Sequence, residues 1–189
     1  EMPYLDYFDA IFFFGVREID LTPEQRADLL SFVSEGKGFV AAHSASTAFF
    51  SWPEFGEMLG GRFDEHPWGI SEANVIVEDR KFPAMLQFTP GARVRDELYQ
   101  LKDFSRDKVR VLARLDPRGL DLTKPLVHRT DGDFPVAWAK TYGKGRVFYT
   151  SMGHREDVWT NKNYHDLLLG ALAWACKNVD ADITPNIEK

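Results

Sequence analysis

The chain has 189 residues, of which 44% are hydrophobic and 28% charged, a balance typical of one compact globular domain rather than of a disordered or fibrous chain. Its single cysteine, Cys176, excludes a disulfide framework and a multi-cysteine metal site. The net charge of −6 at pH 7 gives no long-range attraction to phosphate backbones or anionic lipids. We therefore expect neither nucleic acid nor a membrane as a partner.

The first elements predict an α/β fold. Residues 9–16 (DAIFFFGV) form an unalternating apolar run, which is typical of a strand buried on both faces of a parallel sheet. Thr22, Pro23 and Gln25 predict the capped start of a helix, and residues 38–42 predict the next strand. Strand, helix and strand within about thirty residues indicate a βαβ unit with parallel strands.

The later elements are shorter and are separated by proline and glycine. Ser51 and Glu54 have the spacing of a capping box and predict a short helix that ends near Leu59. Residues 143–145 predict a three-residue hairpin loop, and the chain just after Arg62 is predicted to be irregular. Further strands are predicted at residues 74–77, 94–99, 109–115, 136–142 and 146–151, and a last helix of about 16 residues runs through Tyr164 and Ala175.

Two histidines directly follow predicted strands. His43 comes after residues 38–42 and His154 after residues 146–151, and ligands of an open parallel sheet bind beyond the carboxyl ends of its strands. An imidazole with a pKa near neutrality suits proton transfer. Each histidine also has a structural alternative: His43 as a buried side chain bonded to the backbone, and His154 as the start of a short helix.

Ser44 stands where a nucleophile elbow would stand in a hydrolase or an amidotransferase. The glycines of the G-x-S-x-G pattern are missing, and no cysteine is available at this place. The sequence therefore argues against a serine nucleophile and against a glutamine amidotransferase.

Residues 60–68 form a loop with donors and an aromatic side chain. Arg62 and His66 offer hydrogen-bond donors, while Trp68 and the nearby Trp52 offer flat faces for a sugar ring. The alternative is a loop packed down by its own aromatic side chains.

Strand alternation predicts a second polar group. Along residues 94–99, Arg95, Glu97 and Tyr99 lie on one face, and Asp96 lies on the other with two apolar neighbours. A carboxylate beside an arginine is most often an ordinary ion pair, and this alternative stays open.

No local spacing in the sequence requires a metal ion, because H-x-x-x-H and H-E-x-x-H are both missing. Distant residues could still assemble a site. His43, His66 and His154, together with Glu97, would give a nitrogen and oxygen shell suited to a divalent metal.

Seven segments, in order along the chain, resemble those of a known family: residues 38–45 (GFVAAHSA), 52–63 (WPEFGEMLGGRF), 66–68 (HPW), 95–99 (RDELY), 135–138 (PVAW), 143–149 (GKGRVFY) and 153–155 (GHR). Together they span nearly the whole chain and resemble the ThuA-like, or trehalose utilisation, family. The resemblance implies a flavodoxin-like α/β fold related to class I glutamine amidotransferases. The expected fold is a mainly parallel sheet flanked by helices, with a C-terminal hairpin and helix.

The resemblance also implies a link to trehalose and similar disaccharides through their 3-keto forms. We expect an enzyme that acts on a disaccharide or a 3-keto-glycoside by hydrolysis, elimination or isomerisation; a non-catalytic domain that binds carbohydrate or a partner is the alternative. The family motifs fall on the candidate residues already found. The predicted catalytic residues are His43, Glu97 and His154, and the predicted substrate-binding residues are Ser44, Trp52, Arg62, His66, Trp68, Arg95, Tyr99 and Arg155.

Comparison with the family pattern further predicts that residues 1–189 form a single domain lacking the family's first strand and helix. Apolar surface left by that strand would favour a homo-oligomer. The expected small-molecule partner is a sugar, and the expected location is the cytoplasm, with the periplasm left open.

Overall fold

The computed structural model describes residues 4–15 and 17–188. The helices are α1 (Pro23–Ser34), α2 (Pro53–Leu59), α3 (Glu156–Trp159) and α4 (Lys162–Ala175). The strands are β1 (Ala10–Phe13), β2 (Gly38–Ala42), β3 (Arg62–Glu65), β4 (Ile70–Val77), β5 (Arg93–Glu97), β6 (Gln100–Lys102), β7 (Arg110–Leu115), β8 (Pro135–Tyr142) and β9 (Gly145–Thr150). Across the described ranges, no helix combines the length and apolar character needed to cross a bilayer.

The main sheet has the strand order β1-β2-β9-β8-β7-β4-β5, and β3 pairs with β6 in a separate two-stranded sheet. β1, β2 and β9 are parallel, which confirms the predicted βαβ unit. The remaining pairs of the main sheet, β4–β5, β4–β7, β7–β8 and β8–β9, are antiparallel. The α/β fold is confirmed. The sheet is mixed rather than mainly parallel as expected, because only β1–β2 and β2–β9 pair in parallel.

The sheet is covered on both faces, so its strands bury alternate side chains in two different cores. In β2, Phe39 and Ala41 pack with residues of α1 and α2, whereas Val40 packs with residues of α4. Val147 and Phe148 of β9 divide between the same two cores. A strand buried on both faces needs no polar alternation, which explains the continuous apolar runs of the sequence.

Local signals predict α1 correctly. Thr22 Oγ1 accepts a hydrogen bond from the backbone N–H of Gln25 at 3.2 Å, and Gln25 Oε1 accepts one from the N–H of Thr22 at 3.0 Å. This reciprocal pair is the predicted capping box.

The predicted capping box of α2 is wrong. The side chain of Ser51 bonds to the carboxylate of Glu18, with Oγ donating to Oε2 at 2.8 Å, and α2 begins after Trp52 without a side-chain cap. The distant carboxylate competes successfully for the serine hydroxyl. Gly60 ends α2 as expected, in the left-handed conformation with φ +94°.

Several predicted boundaries also change. The region after Arg62 is not irregular, because β3 forms there by pairing with β6. The β8–β9 loop has two residues instead of three, since Tyr142 pairs directly with Gly145. β1 ends at Phe13, and Val16, the predicted end of that strand, lies outside the described residues.

Candidate functional site

His43 occupies a constrained turn at the carboxyl end of β2. Its φ of +42° lies in the left-handed region, which residues with a side chain rarely adopt and which costs about 1–3 kcal/mol. Tyr149 of the neighbouring β9 holds the turn: its hydroxyl lies 3.0 Å from the carbonyl oxygen of His43 and 2.8 Å from Ser46 Oγ. The fold thus stabilises an unfavourable backbone conformation at this residue.

The ring of His43 has a defined protonation state. Nδ1 lies 2.7 Å from the backbone carbonyl oxygen of Ser151, which can only accept a hydrogen bond, so Nδ1 carries the proton. Burial lowers the pKa of His43 and favours the neutral imidazole. The remaining nitrogen, Nε2, therefore presents a lone pair.

Asp96 fixes the loop that carries His154. Its buried carboxylate accepts hydrogen bonds from three successive backbone N–H groups, those of Gly153 at 2.6 Å, His154 at 3.3 Å and Arg155 at 3.1 Å. Gly153 has φ +126°, and a Cβ at this position would lie 2.7 Å from the hydroxyl of Tyr164. Strand alternation predicts no role for Asp96, but an acid between the apolar residues Val94 and Leu98 is the sequence signal that could have identified it.

Three side-chain atoms converge beyond the ends of β2 and β9. His43 Nε2, Glu97 Oε2 and His154 Nδ1 are each 3.3 Å from the other two. The side-chain exposure rises from 4% for His43 to 16% for Glu97 and 42% for His154. The cluster is therefore buried on the side of His43 and open to solvent on the side of His154.

Tyr99 and His66 border this cluster. The Tyr99 hydroxyl lies 2.8 Å from His43 Nε2, and the two rings stack with their centroids 4.2 Å apart. Burial, reinforced by nearby Tyr149 and Glu97, raises the pKa of Tyr99, so the phenol keeps its proton. His66 Nε2 lies 3.8 Å from the other carboxylate oxygen of Glu97, Oε1.

This arrangement can move protons. A neutral imidazole supplies an acceptor, the carboxylate of Glu97 supplies a second one, and a protonated His154 can donate. Since the phenol of Tyr99 stays protonated, it can donate a hydrogen bond to an oxygen that gains negative charge.

Arg62, predicted to bind substrate, is turned into the protein. Its guanidinium donates to the carbonyl oxygens of Ala48, Phe49 and Trp52, the last two at 2.8 and 2.6 Å. These bonds tie the segment before α2 to β3. Arg62 therefore has a structural function.

The two tryptophans predicted to stack on a sugar are buried. Trp52 is 5% and Trp68 7% exposed, and Trp68 packs its ring edge to face with Phe134. Its indole N–H donates to the carbonyl oxygen of Asp121 at 3.0 Å. The loop follows the alternative that the sequence left open, with its aromatic side chains packed down.

The remaining predicted binding residues are Ser44, Arg95 and Arg155. Ser44 is buried, and its hydroxyl has no hydrogen-bond partner within residues 4–15 and 17–188. Arg95 lines a cavity of about 170 Å³ together with Asp96, and none of the three predicted catalytic residues lines it. Arg155 Nε donates to the carboxylate of Asp157 at 2.8 Å.

Fold and site together define an α/β protein with a glutamine amidotransferase-like fold, in which two histidines and a glutamate stand at the strand ends. The sequence matches the family described as "ThuA: Trehalose utilisation" over residues 1–175, so the chain belongs to the ThuA family. Membership implies a sugar-related role.

Solved structures agree with this assignment. A ThuA-like protein from Bacteroides uniformis is 25% identical, with a TM-score of 0.75, covering 92% of this chain and 71% of its own. One from Parabacteroides merdae is 18% identical, with a TM-score of 0.71 and coverages of 92% and 72%. A Salmonella typhimurium protein described as cytoplasmic shares the fold at 15% identity, with a TM-score of 0.62 and coverages of 93% and 74%. No curated protein matches the sequence.

Proposed function

We propose that this protein is an enzyme that acts on a disaccharide or a 3-keto-glycoside through proton transfer by His43, Glu97 and His154. The observation that carries the proposal is the convergence of their three side-chain atoms, each 3.3 Å from the other two, at the carboxyl ends of parallel strands. Membership of a family described by trehalose utilisation supports a sugar as the substrate.

A 3-keto-glycoside suits these groups because its carbonyl acidifies the neighbouring C2–H. In the proposed reaction, the His43 Nε2 lone pair or the Glu97 carboxylate removes this proton, while the Tyr99 phenol donates a hydrogen bond to the developing enolate oxygen. The C1–O bond then breaks, and the leaving oxygen takes a proton from His154. Addition of water to the resulting double bond gives net hydrolysis, and reprotonation of the enolate without cleavage gives isomerisation.

Solvent exchange tests the first step directly. We would incubate the protein with 3-keto-trehalose in D₂O and follow deuterium incorporation at C2 and release of glucose by NMR. We expect His43→Ala and Glu97→Gln to lose about 10²- to 10⁴-fold in both rates. His128→Ala is the matched control, because its imidazole also contacts a carboxylate, that of Asp64 at 2.8 Å, but lies outside the cluster.

The same variants separate an enzyme from a binding domain. An enzyme variant such as His43→Ala would lose turnover while it still binds the sugar in a calorimetric titration. A wild-type protein that binds keto-sugars without exchange or cleavage would overturn the proposed activity in favour of carbohydrate binding. If the protein neither binds nor turns over any disaccharide or 3-keto form, both the enzyme and the carbohydrate-binding domain are refuted.

A further inference from the structure

We infer that His43 Nε2, Glu97 Oε2 and His154 Nδ1 form a zinc-binding site with an open fourth position. The inference rests on the proposed function only in using the same cluster. A bound ion would occupy the electron pairs of all three atoms, so zinc binding and proton transfer by these side chains are alternative states of the cluster. It is carried by the spacing of the three atoms, by their electron pairs and by the groups that orient them.

The spacing fits a tetrahedral ion. The three atoms form an equilateral triangle with edges of 3.3 Å. Zinc bound at about 2.0–2.1 Å by nitrogen and carboxylate oxygen in tetrahedral geometry separates its ligand atoms by about 3.3–3.4 Å. An octahedral ion with bonds of the same length would bring neighbouring ligand atoms to about 2.9 Å. The triangle therefore matches one face of a tetrahedron.

The electron pairs of the three atoms suit a cation between them. His43 Nε2 has a lone pair because Nδ1 donates to Ser151, and the Glu97 carboxylate is an acceptor. A proton on His154 Nδ1 can lie along only one edge of the triangle at a time. A divalent ion, in contrast, contacts all three atoms at once.

Two of the three ligands are held in place by further groups. His43 is held by the Ser151 carbonyl, as metal-binding histidines usually are through their other ring nitrogen. Asp96 fixes the backbone on both sides of His154. The Tyr99 hydroxyl can turn from His43 to Glu97, with which it also interacts, and so release the Nε2 lone pair.

Exposure provides the open position. The His43 side chain is 4% exposed and that of His154 is 42% exposed. The ion would therefore be enclosed on the side of His43 and accessible to solvent on the side of His154. Two histidines, one carboxylate and an open position are the ligand set of a catalytic zinc site. His66 lies on the other oxygen of Glu97, so we do not include it among the ligands.

The test uses the protein and Zn²⁺ alone. After dialysis against a chelator, we would titrate Zn²⁺ into the wild type by calorimetry and measure the bound metal by plasma mass spectrometry. We expect one equivalent, and we expect Glu97→Gln and His154→Asn to bind at least about 100-fold more weakly. His128→Ala, which removes an exposed histidine paired with Asp64, should bind like the wild type.

Cobalt gives a second readout that does not depend on activity. Co²⁺ in the wild type should produce the intense visible absorption of a four-coordinate ion, and the His154→Asn variant should lose it. His154 is part-exposed, and its backbone N–H contact to Asp96 does not require the imidazole, so this variant should keep the fold by circular dichroism.

The outcomes distinguish this inference from the proposed function. Keto-sugar turnover by a protein that binds no Zn²⁺ overturns the zinc site and leaves the enzyme standing. If the wild type binds one equivalent of Zn²⁺ and both Glu97→Gln and His154→Asn lose this binding, the site is supported even if no sugar is turned over. Wild-type affinity in Glu97→Gln and His154→Asn would place the metal elsewhere and refute the inference.

Discussion

The Nδ1 of His43 donates its proton to the backbone carbonyl oxygen of Ser151 over 2.7 Å, and this bond joins the ends of β2 and β9. It sets the tautomer of the ring, because a carbonyl accepts and never donates. Every role that we propose for His43 depends on the lone pair that this bond leaves on Nε2.

Acid should lower the free energy of unfolding because of the buried His43. Because burial lowers the pKa of the folded-state imidazole below its ordinary value of about 6.5, the unfolded state binds more protons as the pH falls. The stabilising contribution is complete above about pH 6.5 and is lost as the pH falls through the lower folded-state pKa.

We would measure urea unfolding of wild type and His43→Gln in chelator-treated buffer between about pH 8 and about pH 5. The difference in unfolding free energy between them should shrink with acidity, since the variant cannot titrate at this position. Long-range ¹⁵N NMR should show a protonated Nδ1. A His43 that titrates above pH 6.5 would contradict the assignment.

Asp96→Asn should loosen the loop that carries His154. The amide replaces one accepting oxygen by a donor that faces backbone N–H groups, so we expect a loss of about 2–3 kcal/mol in unfolding free energy. Because Asp96 positions His154, keto-sugar turnover should fall mainly in kcat. Asp182→Asn, at a side chain that is 65% exposed, is the control and should change stability by less than about 0.5 kcal/mol.

Arg62→Met should destabilise the protein by about 3 kcal/mol, because three buried carbonyl oxygens lose their donors. Arg62→Lys should fall between this variant and the wild type, since an ammonium cannot reproduce the planar fork of the guanidinium. Thermal unfolding provides the measurement. Arg93→Met serves for comparison, because it removes an exposed ion pair with Glu72; an equal loss there would show that the internal bonds of Arg62 are not the cause.

Ser44 and Ser46 lie in the same turn and should respond oppositely to alanine. The buried Ser44 hydroxyl has no hydrogen-bond partner in the described parts of the chain, so Ser44→Ala should leave the unfolding temperature unchanged or slightly higher. Ser46 Oγ donates to the carbonyl oxygen of His43 at 3.1 Å, and Ser46→Ala should lose about 1 kcal/mol. If Ser44 bonds a sugar hydroxyl, its variant should show a raised KM with an unchanged kcat; unchanged kinetics would remove Ser44 from the substrate-binding residues.

The sequence predicts those features that depend on neighbouring residues. The capping box of α1 joins residues three positions apart, and the strand Gly38–Ala42 is an apolar run with the observed bounds. Ser51 was misassigned because Glu18, which takes its hydroxyl, lies 33 residues earlier. Sequence patterns identify side chains able to cap, but they do not reveal distant competitors.

The same distinction applies to the site. The positions of His43 and His154 follow from the rule that strand ends carry ligands, and alternation along β5 places Glu97 and Asp96 on opposite faces. The burial of Arg62 could not be predicted, because a segment with charged and aromatic side chains has the same sequence pattern whether it faces solvent or packs inward. Carbonyl partners, which carry no sequence signal, decide its orientation.

The order of the strands also determines when the site can exist. β5, which ends at Glu97, stands at one edge of the sheet, while β2 and β9 lie near the other, and His43 and His154 are 111 positions apart in the chain. Ser151 and His154, the partners of His43 that follow the final hairpin, are made last, so the cluster is complete only after that hairpin has docked. Such non-local pairing folds slowly. Appearance of the cluster's chemistry after refolding would therefore report completion of the whole sheet.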